Sequence, residues 1–284
     1  FDLPADSPIF GSAEEFVGWE IETTDTDSPT LKALHLYQKL LRFHQDDEDK
    51  TAFLDANLLR LNFGYNKAYG EEKDARYKAA LKRFTDRWGD HQIAARALFR
   101  WASVLRSDGD LVQAHRLAER GKNAFPDSVG GRKCYNLIQE IEAPESAVST
   151  ERVWNEPIPK ILVRYRNLTK VYFRILPLPF EERLGTARNR PEYLDNNERK
   201  ALLAKQPLRA WSVNLPATEE YQQREQEITP PADLPSGAYF LISSHTPDFG
   251  ETDNVVNYTD FWVSDLALVL RSRRNEGKLE GFVL

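Results

Sequence analysis

The chain has 284 residues, 41% apolar and 29% charged, with a formal net charge of −6, the balance of a folded globular protein rather than a disordered or fibrous one. That length suits one large domain or two of ordinary size. An acidic total without a long run of Lys and Arg argues against a nucleic-acid partner, and no window nears 18 consecutive apolar residues, so no transmembrane segment is expected.

Phe1-Asp-Leu-Pro-Ala-Asp-Ser-Pro8 has neither a starting Met nor the basic and apolar regions of a signal peptide. It reads as the start of a mature form or of a piece of a longer chain, and residues 1–27 are assigned as an N-terminal extension. From 28 to 148 an α-helical domain is expected, because Leu34, Leu36, Tyr37, Leu40 and Leu41, then Phe53, Leu54, Leu58, Leu59 and Leu61, recur at three and four. Ser28-Pro29 offers a cap and a first-turn proline, while Gly70, Gly89 and Ser107-Asp-Gly-Asp110 punctuate later helices. Five or six helices joined by short turns are predicted.

The unit Ala95 to Ser128 carries Trp101 and Ala102 on a first helix, Ala114 and Gly121 on a second, and Pro126 at its end. That spacing resembles a tetratricopeptide repeat, in which small residues let two helices cross closely. Thirty-four residues earlier Ala68, Ala80 and Phe84 partly repeat it, although Gly64 stands where a bulky residue is usual. A degenerate stack of helical hairpins is the expectation.

At Ala143-Pro-Glu-Ser-Ala-Val-Ser-Thr150 the helical period stops, and this stretch reads as the domain boundary. A β-sandwich is expected over 149–275. Lys160 to Arg166 and Lys170 to Leu176 form a hairpin, with Arg164 and Arg166 on a wet face opposite Val163 and Tyr165. Leu208 to Asn214, Ala238 to Ser243 and Tyr258 to Arg271 supply further strands, the last bending near Ser264-Asp265. A charged, partly helical insertion occupies 181–206, and residues 276–284 are assigned to the start of a following module.

Candidate chemistry is sparse. Asp248-Phe-Gly250 spells a kinase metal-binding tripeptide without the other kinase motifs, and Asp248, Glu251, Asp253 and Asn254 lack EF-hand spacing, so both read as a solvated hairpin tip. Asp46-Asp-Glu-Asp49 precedes a helix and is read as capping. His35, His44, His91, His115 and His245 show no i, i+4 pair, so no metal site is expected. The single cysteine, Cys134, is read as core packing. Asn167-Leu-Thr169 and Asn257-Tyr-Thr259 are formal glycosylation acceptors. Trp211, Tyr239, Phe240, Phe261 and Trp262 read as core rather than as a sugar platform. No catalytic residue, binding residue or cofactor site is assigned, and the chain is expected not to be an enzyme.

Val163-Arg-Tyr-Arg-Asn167, Lys170-Val-Tyr-Phe-Arg174, Leu234-Pro-Ser-Gly-Ala-Tyr-Phe-Leu241 and Phe261-Trp-Val-Ser-Asp-Leu-Ala-Leu268, in that order, resemble the N-terminal macroglobulin-type domain of large bacterial α2-macroglobulin-like proteins. The resemblance spans about residues 151 to 273 and implies an immunoglobulin-like antiparallel β-sandwich after a tetratricopeptide-like helical domain, a multidomain α plus β chain. It also implies a non-catalytic scaffold fragment of a protease-trapping or protease-inhibiting protein, placed in the periplasm or on the cell surface, with proteases and an envelope protein as partners. The family's thioester joins a cysteine to a glutamine three residues on. Cys134 is followed at that spacing by Leu137, so no thioester is assigned to this chain. The alternative is a helical-repeat adaptor that recruits an envelope protein without trapping proteases.

Overall fold

Ser28 Oγ accepts from Leu31 N at 3.5 Å and Pro29 opens the helix that follows, as the capping signal predicts. The chain is described here from a computed structural model that covers residues 1–186, 190–250, 252–266, 268–273 and 278–283. It divides into two units, Phe1–Glu142 and Ala143–Leu284, and its class is mixed α plus β.

The first unit is helical: α1 (Ala13–Gly18), α2 (Pro29–His44), α3 (Thr51–Lys67), α4 (Lys73–Arg87), α5 (Ile93–Ser107), α6 (Leu111–Ala124) and α7 (Val129–Glu142). Asp110 Oδ1 caps α6 by accepting from Gln113 N at 3.1 Å, while Gly109 turns at φ +86°. Apolar faces of α2 to α5 enclose Leu34, Leu41, Leu54, Leu58, Leu81 and Phe84.

Residues 1–27 are not an appendage. A single-turn 3₁₀ helix at Pro8–Phe10 and the six-residue α1 bring Leu3, Ile9, Phe10 and Phe16 into the same core as α3 and α4. Ala5 N donates to Tyr69 O at 2.9 Å and Tyr69 N to Leu3 O at 3.0 Å, stitching the segment to the turn after α3. The same packing explains Gly64: a Cβ there would stand 2.5 Å from the Ile9 side chain, so the bulky slot is filled by the N-terminal segment instead. The 34-residue spacing also fails in the earlier pair, because Ala68 lies one residue past the end of α3. In the later pair Ala102 and Ala114 are buried as that spacing predicts.

Helices α5, α6 and α7 close on one another through missing side chains. A Cβ on Gly130 would lie 2.4 Å from Arg96 N, and one on Gly131 would lie 1.9 Å from Phe125 O. Backbone therefore meets backbone at the start of α7.

The second unit contains β1 (Glu145–Ser149), β2 (Val153–Trp154), β3 (Ile161–Arg166), β4 (Lys170–Pro177), α8 (Phe180–Thr186), α9 (Asn196–Leu203), β5 (Arg209–Asn214), β6 (Arg224–Ile228), β7 (Gly237–Ser244), β8 (Val256–Val263), β9 (Leu268–Arg273) and β10 (Lys278–Val283). The order β1-β3-β6 makes a three-stranded sheet and β2-β8-β7-β4-β5 a five-stranded one. Val163 and Tyr165 of β3, Ile228 of β6, Phe173 of β4, Leu241 of β7 and Phe261 of β8 share one core, so the two sheets pack face to face. On the other face of the larger sheet, Phe240 and Ile242 meet Leu202 of α9 and the nearby Leu194. The insertion is thus a covering layer, held by the Asp195–Glu198 capping box and by Arg183 Nη1 to Glu198 Oε1 at 2.9 Å.

Five expectations change. Lys160 to Arg166 and Lys170 to Leu176, expected as a hairpin, fall in different sheets, β3 pairing with β1 and β6 and β4 with β5 and β7, so the turn between them crosses from one sheet to the other. Residues 145–149, read as part of the boundary, pair antiparallel with β3, Glu145 opposite Arg166 and Ser149 opposite Leu162. The unit is not wholly antiparallel, since β2 runs parallel to β8 with Val153 opposite Trp262. Leu268–Arg273, expected to close the sandwich, pairs in a separate two-stranded sheet with Lys278–Val283, expected to open another module. Arg224–Ile228, which has no apolar alternation, is nonetheless a strand: it pairs with β3, where Arg164 and Glu225 are opposed and bonded at 2.7 Å.

Candidate functional site

Most polar residues singled out in the sequence are occupied locally. His35 meets Gln38 Oε1 at 3.2 Å, His44 meets Asp47 Oδ2 at 2.7 Å, His91 meets Thr51 Oγ1 at 3.2 Å and His115 meets Glu142 Oε1 at 2.7 Å. Among the described residues no group of three His, Cys, Asp or Glu is arranged to hold a metal. Asp49 Oδ1 accepts from Thr51 N at 2.9 Å just before α3, the capping role read from the acidic run.

The Asp248-Phe-Gly250 tripeptide is a turn. Asp248 Oδ1 accepts from Thr246 Oγ1 at 2.6 Å and Gly250 N at 3.3 Å, and these bonds hold its carboxyl below the ordinary range. Phe249 is buried beneath the Arg174 guanidinium, 4.0 Å from its ring centre. Asn254 bonds Ser244 Oγ and His245 N, both at 2.9 Å, while Glu251 lies outside the described residues. Calcium ligation gains no support from an asparagine whose amide is committed in this way.

Cys134 Sγ packs at 3.5 Å from Ala95 O, and burial pushes its thiol up to about 12. A thiol so shielded is no nucleophile at neutral pH. Asn257 Nδ2 donates to Ser146 O at 3.2 Å, and Asn167 Nδ2 to Ala143 O at 3.2 Å, so neither glycosylation acceptor presents a free amide. Tyr239, Phe240 and Phe261 are buried as read, and Trp211 stacks on Phe173 with ring centres 5.0 Å apart.

Three features were not legible beforehand. The first is a serine–histidine contact: Ser146 Oγ lies 2.8 Å from His245 Nε2, beside a groove of about 320 Å³ lined by Arg164, Arg166 and Val255. Burial lowers the His245 pKa, so the ring is neutral at pH 7 and can accept the hydroxyl proton. Acyl transfer also needs a group that orients the histidine. Among the described residues no carboxylate pairs with His245. Asn257 Nδ2 reaches Ser146 Oγ at 3.4 Å, so the cluster joins β1 to β7 and β8 as a polar tie.

The second feature is an apolar stripe on α2. Leu36, Leu40 and Phe43 recur at i, i+4 and i+7 and are 57%, 36% and 76% exposed. Periodicity counts Leu36, Leu40 and, on α3, Leu59 in the apolar face; the structure turns all three outward.

The third is Arg60 of α3, which is only 1% exposed. Its Nη1 donates to Ile9 O at 3.0 Å, and its Nη2 to Gly11 O at 3.1 Å and Asn57 Oδ1 at 2.6 Å, while its centre lies 4.8 Å from the Phe16 ring centre. Burial and the nearby Arg83 charge lower its pKa to about 9, leaving it cationic at neutral pH. Periodicity does not flag such a residue, because its acceptors are backbone carbonyls some fifty positions away.

No protein-family model matches the chain, and no curated protein matches it.

Proposed function

We propose that the chain is a non-catalytic interaction and scaffold module, a tetratricopeptide-like helical stack that receives a protein partner, followed by a macroglobulin-type sandwich. The observation that carries the reading is the exposed stripe Leu36, Leu40 and Phe43. Three large apolar side chains aligned on one helix face mark a contact surface for another protein, since isolated exposed apolar residues are common but aligned ones are not. No transmembrane helix competes with that reading, as no described helix is long and apolar enough to cross a membrane.

On this proposal the second unit forms part of the wall of an α2-macroglobulin-like protein in the periplasm or at the cell surface, one that inhibits or traps proteases. Support comes from two facing sheets around a shared aromatic core, and from the Pro235-Ser236 bend that leads into the central strand β7 at Gly237. The parallel β2 and the separate β9–β10 sheet are departures from the simplest form of that sandwich.

The full-length protein is incubated with trypsin or elastase, with and without methylamine, and resolved on denaturing gels. A covalent high-mass adduct abolished by methylamine supports the trapping role. Cleavage without capture removes it, and leaves the adaptor alternative, in which the same stripe recruits an envelope protein. A photo-crosslinking residue at position 43 then identifies that partner, and the absence of any adduct at 43 sinks the adaptor as well.

A further inference from the structure

The buried guanidinium of Arg60 forms part of a cavity of about 130 Å³ between the turn before α1 and helices α3 and α4. Arg83 and Arg87 of α4 line the same space, together with Ser12, Asn57 and Phe84, and no carboxylate does. Arg83 Nη2 donates to Phe10 O. Arg87 Nη1 pairs with Glu14 Oε1 at 2.8 Å at the exposed rim. Among the described residues neither Arg60 nor Arg83 forms an ion pair, and Arg60 Nε is buried without a hydrogen-bond partner.

A neighbouring groove shows that this charge pattern is local. It shares Gly11 and Arg83 but also contains Asp6 and Glu15, so its cations are balanced. In the arginine cavity the pairing is incomplete: Arg87 has Glu14 at the rim and Arg83 also borders the groove of Asp6 and Glu15, while Arg60 has no paired carboxylate among the described residues and its Nε has no partner. Burying the Arg60 cation without a paired carboxylate is unfavourable, and carbonyl acceptors, an aromatic face and the more distant Glu14 and Glu15 only partly offset it. Arg60 spends its Nη donors on the Pro8, Ile9 and Gly11 carbonyls and on Asn57, which leaves its Nε–H, and Arg83 and Arg87 on the same lining supply the further charged N–H donors that an oxyanion takes.

We propose that this cavity is a binding site for one tetrahedral oxyanion of phosphate size, held by Arg60, Arg83 and Arg87. Its volume is well below the roughly 300 Å³ at which pockets for drug-sized ligands begin, which excludes an enclosed nucleotide. The ligand is either free phosphate or the phosphate group of a larger molecule whose remainder stays in solvent. Because the walls belong to the N-terminal segment, α3 and α4, the bound ion fastens residues 11–13 to both helices. It stabilises the helical unit by linkage.

The test uses the whole 284-residue chain, exchanged into phosphate-free buffer and titrated calorimetrically with inorganic phosphate against sodium chloride at matched ionic strength. The expected result is saturable binding of one phosphate with a rise in Tm that chloride does not give. Arg83→Gln and Arg87→Gln should each weaken phosphate binding by about tenfold or more, the loss of a charge-assisted pair, with native circular dichroism. Arg87 is 58% exposed, so its replacement leaves the fold intact. O-phosphoserine in place of phosphate distinguishes the sources: comparable binding assigns a phosphomonoester group, and binding of phosphate alone assigns the free ion. Equal stabilisation by chloride, or unchanged phosphate affinity in both variants, overturns the proposal.

Discussion

Helix α7 approaches α5 because Gly130 has no side chain, whereas the core between the sheets of the second unit is filled by rings. In that core Trp154 stacks on Phe261 with ring centres 3.8 Å apart, and Tyr239 lies 5.5 Å from the same phenylalanine. The two units therefore fail in opposite ways. Helices in backbone contact tolerate no added atom, while sheets about 10 Å apart tolerate no missing ring.

The largest effect that would sharpen this contrast is expected from Phe261→Ala, which empties the middle of the aromatic stack. A loss of about 4 kcal/mol in urea unfolding is predicted, and a loss under 1 kcal/mol would mean that the sheets collapse onto the gap. Next comes Gly131→Ala. At an exposed helical site that change gains about 1 kcal/mol in propensity, but here the new methyl meets the Phe125 carbonyl oxygen, so the sign should reverse to a loss of about 2 kcal/mol. A stabilised variant would show that the start of α7 and the Phe125 carbonyl can move apart at little cost.

A smaller effect is expected on the α2 face. Leu36→Ser with Phe43→Ser should change unfolding free energy by less than about 0.5 kcal/mol, because both side chains already lie in solvent. Partner crosslinking from position 40 should nonetheless disappear. A large loss of stability would instead make the stripe part of the helical core.

The smallest predicted effect is a pH slope from the second unit. Burial holds the His245 pKa below 6.5, so between neutrality and the folded value the unfolded chain binds the proton first. Stability should fall as pH drops from about 7.5 through 6.5, and His245→Gln should flatten that slope. The depressed carboxyls of Glu198 and Asp248 act lower, as pH falls through their unfolded values near 4. An unchanged slope in the glutamine variant would assign the titration to another histidine.

What could be read beforehand follows local rules. Ser28-Pro29 and Asp110 cap helices because their oxygens reach N–H groups two or three residues on, and Val163, Arg164, Tyr165 and Arg166 alternate because a strand does. The strands at 145–149 and 224–228 could not be read, since their pairing with β3 is what makes them strands. Leu36, Leu40 and Leu59 face outward although they fit the apolar period, because period alone leaves a rotation of one position undetermined.

The candidate sites were less legible than the fold. Ser146 and His245 are 99 positions apart, and Arg60 serves carbonyls near Pro8 and Gly11, so neither group leaves a spacing to find. By itself the sequence determined the change from helical to strand period near residue 143, the starts of α2 and α6 and the exposed face of β3. Tertiary structure alone decided that Leu3, Ile9, Phe10 and Phe16 are core, that three arginines share one cavity, and that the insertion covers a sheet. The physical reason is reach: periodicity and capping act within a few residues, whereas burial, register and charge clustering depend on segments brought together only when the chain folds.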